Sequence, residues 1–150
     1  MKRSIFSIVL MFAAIAFVLS PSSALANDEY PLEATVEMTH LGWDAAGNWV
    51  YRGTQTLPHC GLTVQLARVD LPKKEKDPAT GTITIYAANG DQIFIEFIQW
   101  WDPTTQAYVG DYSITGGTGI FADASGDGFI ATEPGEPGSV IVSYDGTISY

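Results

Sequence analysis

The segment at residues 116–128 limits the folds open to this chain more than any other part of it. It places five glycines and two aspartates around Phe121. Each glycine would cost a helix about 1 kcal/mol relative to alanine, so the segment is not helical. Glycine and aspartate at this density are typical of a tight turn that leads into a strand. We therefore predict that these residues enter a strand of a closed or two-layered β structure.

The rest of the chain after residue 26 also has the pattern of β structure. No part of it keeps a helical period over three turns, and short β-rich runs alternate with Gly, Pro, Asn and Asp. Asn89 and Gly90 separate two apolar runs, which predicts a type I′ hairpin turn. Asp145 and Gly146 predict a turn or bulge between the last two runs. Eight or nine strands follow, at residues 32–40, 49–57, 62–69, 81–87, 92–101, 108–115, 126–132 and 140–144 with 146–150.

The first 26 residues have the features of a cleaved export signal. Lys2 and Arg3 precede an apolar run at residues 5–19, and Ala24 and Ala26 supply a small-x-small cleavage site. The run is shorter than the roughly 20 apolar residues of a membrane-spanning helix, and a retained N-terminal anchor is the alternative. We expect a signal peptide at residues 1–26, one domain at residues 27–150, and a periplasmic or secreted protein.

The charge of the chain argues against two classes of partner. The formal net charge is −10, and it becomes −12 once Lys2 and Arg3 leave with the signal. A chain this acidic repels phosphate backbones and anionic membrane surfaces. We therefore expect no nucleic acid partner, and no membrane partner after signal cleavage. Cys60 is the only cysteine in the sequence, so the apolar core must hold the fold without an intrachain disulfide.

Two segments together carry a family resemblance. The sequence AANGDQ at residues 87–92 and the Gly-rich segment at 116–128, supported by residues 39–42 and 146–150, resemble exported bacterial relatives of the allene oxide cyclase and dirigent-type β-barrel family. The resemblance implies an all-β fold, an eight-stranded antiparallel β-barrel, and a homo-oligomer, because members are often trimers. Some members guide the cyclisation or coupling of hydrophobic small molecules. The exported bacterial relatives generally have no assigned activity, and no active-site residue of the cyclases has a match here.

A short acidic run predicts the only metal site that the sequence offers. Asp123, Ser125 and Asp127 supply oxygens at positions 1, 3 and 5 of an EF-hand-like loop, and Gly128 occupies position 6. Position 12 is Pro134, which cannot act as the final ligand. The alternative is a turn in which Asp and Ser side chains cap backbone amides. We expect no cofactor, and calcium binding is the alternative to the capped turn at this run.

The run at residues 93–101 is apolar on both faces of its predicted strand, so we expect both faces to be covered. A barrel lumen would cover one face, and a subunit interface or a tail of the chain would cover the other. Glu96 shares a face with Phe94, Ile98 and Trp100 and is a weak catalytic candidate, because burial in a lumen would raise its pKa and suit it to proton transfer. The alternative is an outward Glu that protects the strand from aggregation.

The large aromatic side chains predict a ligand site. Four tryptophans are many for this length, and although such residues often fill cores, they also stack on flat ligands. We predict that Trp49, Phe94, Ile98 and Trp100 contact a ligand.

Three functions remain open at this point. The first is a non-enzymatic exported barrel that binds a small hydrophobic or aromatic molecule or serves as an interaction module. The second is a cyclase-like isomerase that acts on a hydrophobic substrate with the help of Glu96. The third is a structural protein stabilised by calcium.

Overall fold

The structure, a computed structural model, describes residues 28–58, 60–74 and 76–150. The predicted signal peptide, His59 and Glu75 therefore lie outside the described residues. The described part contains nine strands and one short 3₁₀ helix. The strands are β1 (Glu29–Pro31), β2 (Ala34–Trp43), β3 (Trp49–Leu57), β4 (Gly61–Asp70), β5 (Ala79–Tyr86), β6 (Gln92–Asp102), β7 (Ala107–Gly117), β8 (Gly126–Pro134) and β9 (Ser139–Ser149), and the helix is Gly119–Phe121. Over these residues no helix is long and apolar enough to cross a membrane.

Strands β2 to β9 form a closed antiparallel barrel of eight strands, which confirms the predicted fold class. Each strand pairs with the next one along the chain, and β9 closes the circle by pairing with both β8 and β2. The ninth strand, β1, pairs with the C-terminal part of β9 in the same register as β2, with Pro31 opposite Thr147 and Ala34 opposite Tyr144, so it continues the line of β2 along β9. Closure leaves the barrel strands without an open sheet edge, so their backbone groups are paired on both sides.

The alternation of side chains along β6 shows which residues face the lumen. Ile93, Ile95 and Phe97 are buried, whereas Phe94 and Glu96 are exposed. Successive side chains in a strand point to opposite faces, so the first set lines the barrel and the second lies on its outer surface. The predicted alternation along β6 is therefore confirmed. The lumen covers the inner face as expected, whereas the described residues leave Phe94 and Trp100 on the outer face exposed, so a cover for that face stays a prediction.

Glycines on the strands make room for large aromatic rings in the lumen. A Cβ atom on Gly81 would lie 2.6 Å from the ring of Phe97, and one on Gly146 would lie 2.5 Å from the hydroxyl of Tyr112. Gly146 lies inside the continuous strand β9 and pairs with Gly128 of β8. The predicted turn or bulge at residues 145–146 is therefore wrong, because this glycine serves aromatic packing rather than chain reversal.

The connection between β5 and β6 also differs from the predicted type I′ turn. Such a turn needs a positive φ at both central residues, but of the pair only Gly90 has one, at +91°. Asn89 instead accepts a hydrogen bond from the Asp91 amide at 3.0 Å and donates to the Asp91 carboxylate at 2.8 Å. The loop is longer than two residues because the Asn89 side chain stabilises a different turn.

The two ends of the barrel differ. At the end where β1 and β9 pair, the 3₁₀ helix places the fully buried Phe121 against Tyr150, with ring centroids 4.8 Å apart. A backbone bridge between Ser125 and Ser149 holds this segment in place. We call this the closed end. The opposite or open end carries the loops that connect β2 to β3, β4 to β5, β6 to β7 and β8 to β9.

Candidate functional site

A cavity of about 290 Å³ occupies the lumen on the side of the open end. All eight barrel strands contribute to its wall, so the cavity exists only because the barrel closes. Small side chains on β4 and β5 leave the space, since Ala67 and Ala79 stand where larger residues would fill it. The lining residues are Met38, Trp49, Tyr51, Ala67, Val69, Leu71, Ala79, Ile83, Phe97, Gln99, Tyr108, Ile130, Thr132, Val140 and Val142.

Gln99 is the most deeply buried polar side chain in the cavity wall, and the protein itself satisfies its amide. Its Nε2 donates to the backbone carbonyls of Tyr108 at 3.1 Å and Ile130 at 3.2 Å. The hydroxyl of Thr132 lies 3.2 Å from Gln99 Oε1. Buried polar groups that are bonded in this way do not need a ligand to satisfy them. The surface that the cavity offers to a ligand is therefore mainly aliphatic and aromatic.

A cluster of aromatic rings forms one side of the cavity mouth. The ring of His40 lies 4.6 Å from Trp49, 5.1 Å from Tyr51 and 5.5 Å from Trp43, measured between centroids. These separations are typical of aromatic pairs in contact. A hollow of about 280 Å³ lies beside these rings and shares Trp49 and Tyr51 with the cavity. We call it the mouth hollow.

The other side of the mouth is formed by Trp101 and Tyr108, whose ring centroids are 5.3 Å apart. Both residues line the mouth hollow, and Tyr108 also lines the cavity. A shallow groove of about 470 Å³ continues outward from them past Pro72, Lys73 and Lys74. We call it the lysine groove. The cavity, the mouth hollow and the lysine groove thus adjoin through shared aromatic residues.

A buried polar layer lies beyond the cavity toward the closed end. The Tyr144 hydroxyl donates to Gln65 Oε1 at 2.9 Å, and burial raises the pKa of Tyr144 far above its ordinary value. The ring of Tyr112 lies edge-on to Tyr144 at 5.8 Å. Burial, aided by the nearby carboxylates of Asp127 and Asp145, raises the pKa of Tyr112 to about 12. Both phenols are therefore neutral at ordinary pH and cannot act there as anionic bases.

The structure separates the four residues predicted to contact a ligand. Trp49 lines the cavity and the mouth hollow. Phe94, Ile98 and Trp100 lie on the outer surface of β6, where Trp100 is 44% exposed. The four side chains therefore do not form one site, and ligand contact by the outer three stays a prediction.

Glu96, the weak catalytic candidate, lies on the same outer surface and is exposed. Its neighbours there include Ile98 and Asp111, in a shallow surface depression. The lumen role considered for Glu96 required burial, and this position does not provide it. The alternative of an outward, solvent-exposed Glu agrees with the position that the structure gives it.

The acidic run considered for calcium lies between the 3₁₀ helix and β8. Asp123, Ser125 and Asp127 are all exposed, and Ala124 between the first two is buried. Within the described part of the chain, no group of three His, Cys, Asp or Glu side chains is arranged to hold a metal ion. Calcium binding at this run stays a prediction.

Burial raises the pKa of the half-buried Cys60 thiol, which disfavours its reactive thiolate.

The two segments that carry the family resemblance meet in space at the closed end. The amide of Gln92 donates to the Thr118 hydroxyl, and the Thr118 amide donates to the Gln92 carbonyl, both at 2.9 Å. The Asp91 carboxylate accepts the Ile120 amide at 3.2 Å. These contacts fasten the Gly-rich turn to the neighbouring hairpin. The two main segments of the resemblance therefore build the closed end and lie away from the cavity, whereas His40 of the supporting segment 39–42 lines the mouth hollow.

Sequence reasoning missed several residues of the cavity and its mouth. Gln99 shares a face of β6 with Phe97. The outer face of that strand is nearly as apolar, so the alternation alone did not show which face lies inside. Tyr51 and Tyr108 gave no local signal beyond their β-rich surroundings. Lys73 and Lys74 lie in a short charged run before Pro78, which gives no ligand signal, and their position beside Trp101 depends on closure of the barrel.

Fold and site together define this protein as a small closed antiparallel β-barrel with an apolar lumen that opens at one end. A solved structure similar to it is that of the pterocarpan synthase dirigent protein GePTS1, with a TM-score of 0.47 and 16% sequence identity. The alignment covers 82% of this chain and 87% of that one. No protein-family model and no curated protein matches this chain. The closed circle of strand pairings itself establishes the fold.

Proposed function

We propose that this protein is a non-catalytic binder of a small hydrophobic or aromatic molecule, which it holds in the lumen of its barrel. The observation that carries the proposal is the cavity of about 290 Å³ with its mainly apolar wall. Barrels of eight strands are just wide enough either to fill the lumen with side chains or to hold one small ligand. Concave apolar pockets with few polar groups are the usual form of small-molecule sites.

The composition of the cavity wall supports binding over acid–base catalysis. Among its described lining residues there is no Asp, Glu, His, Cys or Lys, and the titratable side chains in the wall are the phenols of Tyr51 and Tyr108. Burial raises the pKa of Tyr51 above its ordinary value, which disfavours the phenolate that a base would need. Proton transfer needs a titratable group within hydrogen-bond reach of the reacting atom. The cyclase-like alternative rested on Glu96, and its exposed position on the outer surface gives that alternative no support.

The neutral fluorescent probe phenylnaphthylamine tests the proposal, because its emission rises in an apolar pocket. We expect saturable binding with one probe per chain. Ala79→Phe should lower the affinity by about tenfold or more, equivalent to about 1.4 kcal/mol, because the new ring takes up the space that the probe needs. Thr80→Phe is the matched control, since Thr80 is the next residue along β5 and is exposed.

Two results would contradict a luminal site. One is the absence of saturable probe binding by the folded protein. The other is an equal loss of affinity in Ala79→Phe and Thr80→Phe, which would place the probe on the outer surface. Thermal melts of both variants show whether each one is folded before its affinity is compared.

We further propose that the protein is exported and acts as a homo-oligomer, without nucleic acid or membrane partners. The N-terminal sequence features and the acidity support export and the absence of those partners. The exposed apolar side chains of Phe94, Trp100 and Phe129 support an oligomer, because large apolar patches often mark interaction surfaces. Light scattering of the protein and of Trp100→Asp tests this. A monomer at micromolar concentration would contradict it.

A further inference from the structure

We propose that the ligand is a planar aromatic anion, whose ring system lies in the lumen and mouth and whose acidic group binds Lys73 and Lys74. This inference rests on the proposed function and adds the chemical class of the ligand. The observation that carries it is a pair of lysines in a groove that adjoins the apolar cavity through shared aromatic residues.

The cavity, the mouth hollow and the lysine groove adjoin, because aromatic residues are shared between them. Tyr108 lines the cavity, the mouth hollow and the lysine groove, and Trp101 lines the hollow and the groove. Lys73 and Lys74 line the groove together with these rings. A molecule that enters the lumen with one apolar part can therefore place a polar group beside the two ammonium groups.

Cations are scarce on this protein, and they are concentrated at the open end. Of the five Lys and Arg residues after residue 26, three lie in the loop between β4 and β5, at Lys73, Lys74 and Lys76. Arg68 contacts Asp44, with Nε 3.8 Å from the carboxylate. Neither groove lysine makes an ion pair with a described residue. The lysine groove is thus a local exception on a surface that otherwise repels anions.

Acidic residues limit how much the two lysines can add to the affinity for an anion. Glu133 lines the mouth hollow, and Asp70, Glu75 and Asp77 flank the lysines in sequence. These carboxylates reduce the local positive potential, so the lysines should contribute selectivity and moderate affinity. Contacts between exposed opposite charges correspond to about 1.5- to 5-fold in affinity each.

The shape of the mouth favours a flat ligand. His40, Trp49 and Tyr51 stand on one side of the mouth hollow, and Trp101 and Tyr108 stand on the other. Aromatic rings bind flat π-systems by offset stacking or edge contacts. A flat ring with an acidic substituent can use this aromatic wall and reach the lysine groove, which an isotropic apolar molecule would leave empty.

Two fluorescent probes that differ by one charge separate this inference from the proposed function. Anilinonaphthalene sulfonate is phenylnaphthylamine with an added sulfonate, so the pair has nearly the same ring system and differs in the anionic group. We expect the sulfonate probe to bind more tightly at low salt. Its advantage should disappear as salt rises from about 0.01 M to about 1 M, because the Debye length falls from about 30 Å to about 3 Å.

Charge-removing variants then locate the anionic group. The double variant Lys73→Gln/Lys74→Gln should weaken the sulfonate probe by about 2- to 25-fold and leave the neutral probe unchanged. Lys76→Gln is the matched control in the same loop, because Lys76 does not line the groove. Glu133→Gln should strengthen sulfonate binding, since it removes the acid that lines the mouth hollow.

Each outcome is decisive. If neither probe binds, the proposed function fails and the inference fails with it. If both bind with equal affinity at low salt, or if the double lysine variant matches Lys76→Gln, the lumen binds neutral molecules and the inference alone is overturned. Selective loss of the sulfonate probe in the double variant supports the inference.

Discussion

The effects of substituting Tyr144 and Gln65 on stability should be strongly coupled, because the two side chains form a hydrogen-bonded polar pair inside an apolar lumen. Tyr144 is 4% exposed and Gln65 is 0% exposed, and the hydroxyl donates to Oε1 at 2.9 Å. The pair joins β9 to β4 across the barrel. The tyrosine hydroxyl satisfies the carbonyl oxygen of this amide, whereas Gln65 Nε2 has no hydrogen-bond partner in the part of the chain that the structure describes.

The expected magnitudes follow from that geometry. Tyr144→Phe leaves a buried carbonyl oxygen without its donor, which should cost about 1–3 kcal/mol in the free energy of unfolding. For a domain of this size that corresponds to a fall in Tm of about 3–12 °C. Gln65→Met leaves the tyrosine hydroxyl unpaired and should cost a similar amount. The double variant should cost less than the sum of the two, because replacing both partners by apolar groups is nearly neutral.

Urea unfolding of the four proteins measures the coupling directly. We expect a coupling free energy of at least about 1 kcal/mol between the two positions. Tyr51→Phe is the control, since within the described chain its hydroxyl makes no hydrogen bond, and its cost should stay within about 0.5 kcal/mol. If the losses at Tyr144 and Gln65 simply add, the pair is not coupled and this account of the polar layer is wrong.

Three further predictions follow. The Tyr112 phenol has a pKa of about 12 in the fold because of burial and the carboxylates of Asp127 and Asp145, whereas an unfolded tyrosine titrates near ~10. The folded protein binds this proton more tightly than the unfolded chain does, so the stability that the phenol contributes is fully present below about pH 10 and is lost as the pH rises through about 12. Urea midpoints measured against pH should show this loss, and the loss should be smaller in Tyr112→Phe. Asp91→Ala should lower the free energy of unfolding by about 1 kcal/mol, and Tm by a few degrees, because it removes the acceptor of the Ile120 amide. An unchanged melt would show that the Gly-rich turn is stable without this contact. Millimolar calcium should leave Tm unchanged relative to a chelator, and a rise would instead support the site predicted around Asp127, since a ligand that binds only the folded state must stabilise it.

The sequence predicted the strands well because their signal is local, and the family resemblance implied the eight-stranded barrel. Alternation along β6 correctly divided Ile95 and Phe97 from Phe94 and Glu96. Which face lies inside depends on the total apolar surface of all eight strands, and with Trp100 on one face and Phe97 on the other the local pattern did not decide it. The ligand prediction therefore combined residues from both surfaces.

Other features could not be predicted because they depend on distant partners. The pair Asp145 and Gly146 is typical of a turn, yet Gly146 lies within a strand. It is a glycine there because the Tyr112 side chain occupies the space that a side chain at position 146 would need. The cavity arises where Ala67 and Ala79, from two different strands, face the same space. Neither relation has a signature in a short window of sequence.

The way in which the barrel closes has a consequence for folding kinetics. Seven of its eight seams join strands that are consecutive in the chain, and the eighth joins β2 to β9, with Ala34 opposite Tyr144. That seam must wait until almost the whole chain has ordered, because loop-closure entropy delays pairings between distant segments. Before it forms, the chain is a curved open sheet with free edges at β2 and β9, and such edges invite pairing with other molecules. The side-chain contacts across this seam, Thr35 with Ser143 at 3.2 Å and Ser139 with Glu37 at 2.8 Å, therefore help to determine how long the folding chain remains vulnerable to aggregation.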